Sequence, residues 1–401
     1  MPDPGTARPD DRAPNERTTR ASIGRRLALS LGVLALSLLG AELVVRALGL
    51  EPARYAETRH LESDDKRVGL DLYPSDARDA FPIDLRDDAT RRAFSDRIEE
   101  LDAWASRAPH AVRGDYTAEL CRVAHEGDVL PNAASDRPRV VLVGDSFIEG
   151  QGVVFEHTVA ARLGDALGDD HDVLACGRRG YDFAIDPSAA HGLGRWMSAH
   201  VLDADVAVYA MTLNDPARSE AFARGQSYVD DWIVDRRRML SHDATRESWI
   251  TPRLFTLVED RIEAMRIGAA TMRWYQQMVE SPNREGWQAT LTQLERFAAH
   301  LRSEGRELVV ALWPLLVGLE SEGTYPFVAT HARIALDLDA LPLTVIDTLP
   351  AFLGTDTRSL WVHEVDHHPN DEGHRRFAEA ILPPVREALA RARARRDSAR
   401  P

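Results

Sequence analysis

A chain of 401 residues, 44% hydrophobic and 28% charged, carries enough apolar side chain for a full core and is not disordered as a whole. Its formal net charge of -15 speaks against a nucleic-acid partner, because binding a phosphate backbone needs a concentrated basic face. Its two cysteines, Cys121 and Cys176, make neither a disulfide scaffold nor a zinc site by spacing.

Residues 1–26 are rich in Pro, Asp, Arg and Thr without a periodic apolar pattern, and read as a disordered tail. Leu27 to Ala41, "LALSLGVLALSLLGA", holds no charge, follows Arg25 and Arg26, and runs on through Leu43, Val44 and Val45 to Leu50. At 1.5 Å per residue the charge-free part covers ~22 Å of a ~30 Å hydrocarbon core, so Glu42 and Arg46 lie near the far interface or the helix tilts. Four residues apart, those two can pair on one helix face. A cleaved signal peptide competes with this reading, but Leu39 stands where a small residue should precede Ala41 at a cleavage site. Residues 27–50 therefore read as a single transmembrane anchor, with the arginines holding the N-terminus in the cytoplasm and the rest of the chain extracytoplasmic. The strongly charged stretch 51–138, with a helix-like run at Ala93 to Trp104, reads as an extension packed on the main domain.

From Arg139 the pattern is regular. Strand-like runs stand at Val140–Val143, Asp172–Cys176, Val206–Met211, Leu308–Leu312 and Leu343–Ile346, with helix-like segments such as Val159–Leu167, Ala190–Ala199 and Leu291–Ser303 between them. This alternation predicts an α/β fold: three layers, α/β/α, around a mostly parallel sheet spanning 139–390. Ligands of such sheets sit beyond the carboxyl ends of the strands, where Ser146 and Asn214 emerge. The long segment 216–285 reads as a helical insertion over the site, and the basic run 391–401 as a solvated helix end.

"RVVLVGDSFIEGQGV" then poses a choice: Ser146 either caps a helix or acts as a nucleophile. A nucleophilic serine needs a base within hydrogen-bond reach, an acid to orient that base, and donors for the oxyanion that forms. "LWVHEVDHHPNDEGH" crowds Asp366, His367, His368, Pro369 and Asn370 before the last helix, with Asn370 as its cap, so the histidines sit on a fixed loop end suited to a general base.

In these blocks, their order and their spacing, the chain resembles the SGNH/GDSL hydrolases, a family of serine esterases and acyl-transfer enzymes with a flavodoxin-like fold. Gly144-Asp145-Ser146 matches the first block, which implies Ser146 as nucleophile and one amide donor. "ACGRRGYD" matches the second, implying the amide of Gly180 as donor, with Gly177 as the alternative. Asn214-Asp215 of "YAMTLND" matches the third and implies the Asn214 side chain as a further donor. His368 of "HHPN" matches the fourth as base, with Asp366 as its acid.

Three departures stand out. Thr212 occupies the place of a usual glycine, and Ala175-Cys176 the place of a usual asparagine. The usual acid-to-base spacing falls on Val365, which turns the assignment to Asp366 and leaves Glu364–His367 as the fallback pair. His363 and His374 read as surface or helix-turn residues. A metal site from His363, Asp366, His367 and His368 lacks a distant ligand, so no metal and no cofactor are expected.

The resemblance implies a hydrolase of an O-acyl ester, carried by a small molecule, glycan or lipid and plausibly part of the cell envelope, acting through an acyl-enzyme on Ser146. The alternatives are an O-acyltransferase on a polysaccharide and a non-catalytic glycan-binding scaffold. In an oxidising compartment Cys121 and Cys176 could pair and fasten the extension to the site's edge. The preferred reading at this level is that Cys176 is a small buried apolar residue unrelated to Cys121.

Overall fold

Long apolar runs without a polar break suit either membrane-spanning helices or strands buried on both faces, and this chain has runs of both kinds. The computed structural model describes residues 16–50, 115–117, 121–125, 137–178, 180–186, 192–194, 197, 201, 204–225, 252–363 and 366–399. Of the tail expected over 1–26, residues 1–15 lie outside these residues, whereas 16–26 are helical; the run at Ala93 to Trp104 and most of Ala190–Ala199 also lie outside them. The chain divides into two units, Met1–Ala56 with Asp243–Met265, and Glu57–His242 with Arg266–Pro401.

In the first unit, helix α1 spans Glu16–Ala47, and its Gly24–Ala47 part is long and apolar enough to cross a membrane. Arg46 pairs with Glu42 as the four-residue spacing predicts.

The second unit is built on a seven-stranded sheet. Its strands are β1 (Asp115–Tyr116), β2 (Arg122–Val123), β3 (Arg139–Gly144), β4 (Asp172–Ala175), β5 (Val206–Met211), β6 (Glu307–Leu312) and β7 (Thr344–Asp347), in the order β1-β2-β4-β3-β5-β6-β7. β3 to β7 are parallel, and β2 and β1 add antiparallel strands beyond β4. Counted along the chain, the parallel strands run 2-1-3-4-5, the flavodoxin-like order, with the reversal between β3 and β5. Every residue of β3, β5 and β6 is buried, which is why they read as continuous Val/Leu/Ala runs rather than alternating ones.

Four long helices cover the sheet: α3 (Val159–Leu167), α6 (Arg284–Ser303), α7 (Val328–Asp339) and α8 (Asp371–Ala399). The chain moves one way along the sheet from β3 to β4 and the other way from β5 to β7. Right-handed crossovers therefore put α3 on one face and α6 and α7 on the other, making three layers. α8 packs beside α3 and across β5, β6 and β7. The Trp313 ring, just past β6, stacks on Phe377 of α8 at 3.8 Å.

The basic run from Arg391 is helical as far as Ala399. It continues α8, where Arg391 and Arg395 meet Glu307 at 3.5 and 2.6 Å and Arg396 meets Asp205 at 2.6 Å, at the starts of β6 and β5.

Within the segment expected as an insertion, α4 (Glu220–Gly225) and α5 (Arg253–Gln277) are helices. Its neck is clamped by Asn283. The Asn283 Oδ1 accepts the Ser219 N–H at 2.8 Å, its Nδ2 donates to Ala217 O at 2.8 Å, and Thr290 Oγ1 accepts the Ala217 N–H at 2.9 Å.

The cysteines correct the preferred reading: Cys121 and Cys176 are bonded, across 55 residues of sequence. The pairing of Arg122 with Ala175 brings β2 against β4 and sets the two thiols side by side.

Candidate active site

β3 ends at Gly144, where a Cβ would lie 2.8 Å from the Ala210 carbonyl oxygen of β5, so only glycine allows this approach. The next residue, Asp145, caps the short helix α2 (Ser146–Glu149), its Oδ1 accepting the Phe147 N–H at 2.9 Å. The capping duty thus belongs to Asp145, and the hydroxyl of Ser146, the first helical residue, is left for another partner. That partner is His368, whose Nε2 lies 2.9 Å from Ser146 Oγ.

His368 stands on β9 (Asp366–Pro369), paired antiparallel with β8 (Trp361–His363). Successive strand residues face opposite ways. His367 accordingly stacks on Trp361 at 3.8 Å, while His368 turns to Ser146 with the Phe147 ring edge 5.6 Å away. Asn370 fixes the hairpin to α8. Its Oδ1 accepts the N–H groups of Glu372 and Gly373, as the sequence predicts for a cap, and its Nδ2 donates to the carbonyls of Ser359 and Trp361. Glu364, Val365 and the side chains of His363 and Asp366 lie outside the described residues.

Of the two positions expected for His374, surface or helix turn, it takes the second. It is fully buried in the first turns of α8, its Nδ1 accepting the Val159 N–H at 3.2 Å. Burial, together with Arg122, Arg162 and His368, pushes it down to about 3, so it stays neutral.

Past β5, a buried polar cluster centres on Thr212. Its Oγ1 lies 2.8 Å from Asp215 Oδ1, 2.9 Å from Asp145 Oδ2 and 2.9 Å from Asn214 Oδ1. One hydroxyl hydrogen cannot serve three acceptors. Burial raises the carboxyl of Asp145, and burial plus the neighbouring Asp145 raises that of Asp215 further. When Asp215 is protonated, its Oδ1 donates to Thr212 Oγ1, which frees the threonine hydrogen for Asp145 or Asn214. Asp215 Oδ2 is the accepting end, taking the Tyr209 hydroxyl at 2.7 Å and the Thr212 N–H at 2.9 Å. Thr212 is therefore more than a missing glycine, and a hydroxyl set between two acids was the available sequence signal.

The loop after β4 is held by the Arg178 N–H on Gly144 O at 2.9 Å and the Phe183 N–H on Asp215 O at 2.8 Å. Between them stands Gly180, exposed and with φ of +78°, a conformation that favours glycine. Gly177 is glycine for a different reason: a Cβ there would lie 2.5 Å from the side chain of Ile148 in α2. At the rim, Arg218 lies 3.5 Å from Asp182 and 5.4 Å from the Trp274 ring centre.

One contributor left no trace in the sequence. The buried Arg122 donates from Nη1 to the carbonyls of Glu149 and Gly150 at 2.7 and 2.8 Å, and from Nη2 to Val153 O. It thereby holds the turn that follows the Ser146 helix. A single arginine beside a cysteine in an unpatterned stretch carries no such message.

No family model and no curated protein matches the chain. Among solved structures it is similar to a carbohydrate acetylesterase family member from Sinorhizobium meliloti, at 17% identity and a TM-score of 0.33 over 63% of this chain and 99% of that one. It is also similar to the aryl esterase of M. smegmatis, at 13% identity and a TM-score of 0.34 over 63% and 99% of the two chains. A further similar structure is a member of the lipolytic G-D-S-L family from Veillonella parvula, at 12% identity and a TM-score of 0.30 over 61% and 96%.

Proposed function

We propose that the protein is a serine ester hydrolase of the SGNH/GDSL type, with Ser146 as nucleophile and His368 as base. The observation that carries this reading is the 2.9 Å contact between Ser146 Oγ and His368 Nε2, two residues 222 positions apart. His368 takes the hydroxyl proton as Ser146 Oγ attacks the ester carbonyl carbon, and the oxygen that becomes negative meets the amides of Ser146 and Gly180 and the Asn214 side chain. Collapse breaks the bond to the alcohol, which leaves with the proton from His368. Water, deprotonated by the same imidazole, then releases the acid and restores Ser146. Asp366 is the residue assigned to hold the imidazole Nδ1–H.

The substrate assigned to this site is an O-acyl ester of an envelope glycan or lipid. The chain is read as anchored by α1, with its N-terminus cytoplasmic and the sheet domain outside. The Cys121–Cys176 bond supports that side of the membrane, since such bonds persist in oxidising compartments.

The test is fluorophosphonate labelling of the detergent-solubilised full chain, with peptide mapping and an aryl acetate assay run with and without a polysaccharide acceptor. Label on Ser146, and its loss in Ser146→Ala together with turnover, is the expected result. A folded protein that leaves Ser146 unlabelled speaks for the glycan-binding scaffold, and acyl groups appearing on the polysaccharide in place of free acid would make the protein an acyltransferase.

A further inference from the structure

The end of α1 and the start of α5 belong to one unit and are joined by one side chain. Glu42 accepts the N–H of Arg253 at 2.8 Å on Oε1 and that of Leu254 at 2.7 Å on Oε2, while Arg46 donates to the same carboxylate. The carboxylate thus satisfies the open N–H groups of a 25-residue helix from a position in the last turns of the apolar one. This pins the beginning of α5 at the level where charge first returns after the apolar run of α1.

From that point α5 carries Phe255, Val258, Ile262 and Met265, spaced three, four and three residues apart. At 100° per residue the four fall within an arc of about 80°, and they span roughly 15 Å of helix. Their exposures of 66%, 47%, 42% and 58% are those of a face that no described residue covers, whereas Thr256, one position on from Phe255, is buried. Exposed charges border the stripe on both edges, Glu259 on one and Arg261 on the other. A narrow apolar stripe with charged margins is the pattern of a helix lying flat at a lipid surface. Helix α1, in the same unit, likewise exposes Leu31, Leu34 and Leu38.

We propose that the first turns of α5 lie in the plane of the bilayer interface with Phe255, Val258, Ile262 and Met265 against the acyl chains, a second membrane contact beside the spanning helix. The proposal rests on α1 crossing the bilayer. Its occupant is lipid because the face begins where the spanning helix ends and is tied to it by Glu42.

Site-directed spin labelling tests it on the full chain in phosphatidylcholine/phosphatidylglycerol nanodiscs. The native cysteines are bonded to each other, so single cysteines can be added at exposed positions: Val258→Cys, Met265→Cys, Leu34→Cys within α1, and Glu322→Cys as an aqueous reference. Collision with oxygen, which concentrates in lipid, is compared with collision with a water-soluble nickel chelate. Labels at 258 and 265 should show oxygen-to-chelate ratios several-fold above the label at 322 and should group with the label at 34. If 34 is lipid-exposed while 258 and 265 match 322, the proposal fails and the anchor stands. If 34 also matches 322, the anchor reading fails and takes the proposal with it. Labels at 258 and 265 shielded from both reagents and broadened by spin–spin coupling would assign the face to a second copy of the chain and overturn the lipid assignment.

Discussion

Replacing Thr212 by Val removes one hydroxyl and changes the shape little, which isolates the polar cluster behind Ser146. The substitution takes the shared partner from Asp145 Oδ2, Asn214 Oδ1 and Asp215 Oδ1, each within 2.9 Å in the native protein. Asp145 keeps its bond from Phe147, and Asp215 keeps those from Tyr209 and the backbone of residue 212. What is lost is the hydrogen donated by Thr212 and the acceptor for the Asp215 proton. At about 1–3 kcal/mol for each of the two buried polar groups left unpaired, the expected destabilisation is ~2–6 kcal/mol. In the proposed mechanism Asn214 also loses the contact that fixes which end of its amide is presented as oxyanion donor. Full loss of an oxyanion donor lowers kcat by roughly 10²–10³, and misorientation of one that remains should cost about tenfold with KM little changed. Urea unfolding followed by tryptophan fluorescence gives the first quantity and aryl acetate kinetics the second, with Thr212→Ser expected to restore both. A Val variant within about 0.5 kcal/mol and twofold of the native protein would show the cluster to be inert.

Acid titration should separate two buried groups by the sign of their effect. A raised carboxyl, as at Asp215, stabilises the fold fully below its unfolded value near pH 3.9, and that stability is lost as pH rises through the folded value. Asp215→Asn should therefore flatten the decline of unfolding free energy from acid toward neutral pH. His374 works in the opposite sense: with the ring pushed down to about 3, stability is lost as pH falls from about 6.5 toward 3, and His374→Gln, which keeps an acceptor for Val159, should reduce that loss. An unchanged pH profile in either variant refutes the corresponding assignment. His368→Ala should remove at least roughly 10³ of kcat, whereas His367→Ala, which gives up a stack on Trp361, should stay within about tenfold; the reverse ranking moves the base to His367. Changing both Cys121 and Cys176 to Ser opens a loop of 55 residues and should cost about 4 kcal/mol, read from the shift in urea midpoint.

The elements legible in the sequence are those whose formation depends on local composition. β3, β5 and β6 are buried on both faces, so apart from Arg139 and Glu307 at the starts of β3 and β6 they run apolar, β3 closing on Gly144 and the other two followed by Thr212 and Trp313. Ser146 and His368 stand out as candidates because the sharp turn before the one and the Pro-Asn cap after the other are written in adjacent residues, and the fold brings the two together. β1, β2 and β8 leave no sequence signal, since strands of two or three residues carry too few side chains for a period to emerge, and β9, Asp-His-His-Pro, holds no apolar run. The pairing of Cys121 with Cys176, the burial of His374 and the grip of Arg122 depend on tertiary approach, for which no local signal exists. Thr212 lay between these cases: its position was noticed as a departure, but its role needed the distances to two carboxyls.

The clamp at Asn283 has a consequence for how the chain can vary. Because Ala217, Ser219, Asn283 and Thr290 fasten the two ends of the excursion to one another, β5 and α6 keep their connection whatever lies beyond the neck. Loop-closure entropy grows only with the logarithm of length, about 0.6 kcal/mol per doubling, so cutting the excursion from some sixty residues to a handful changes closure by roughly 2 kcal/mol. The segment is thus thermodynamically exchangeable. A longer, shorter or different segment would leave Ser146 and Asn214 at the spacing set by neighbouring strands, so that under the proposed function what the protein approaches can diverge separately from the bond it breaks.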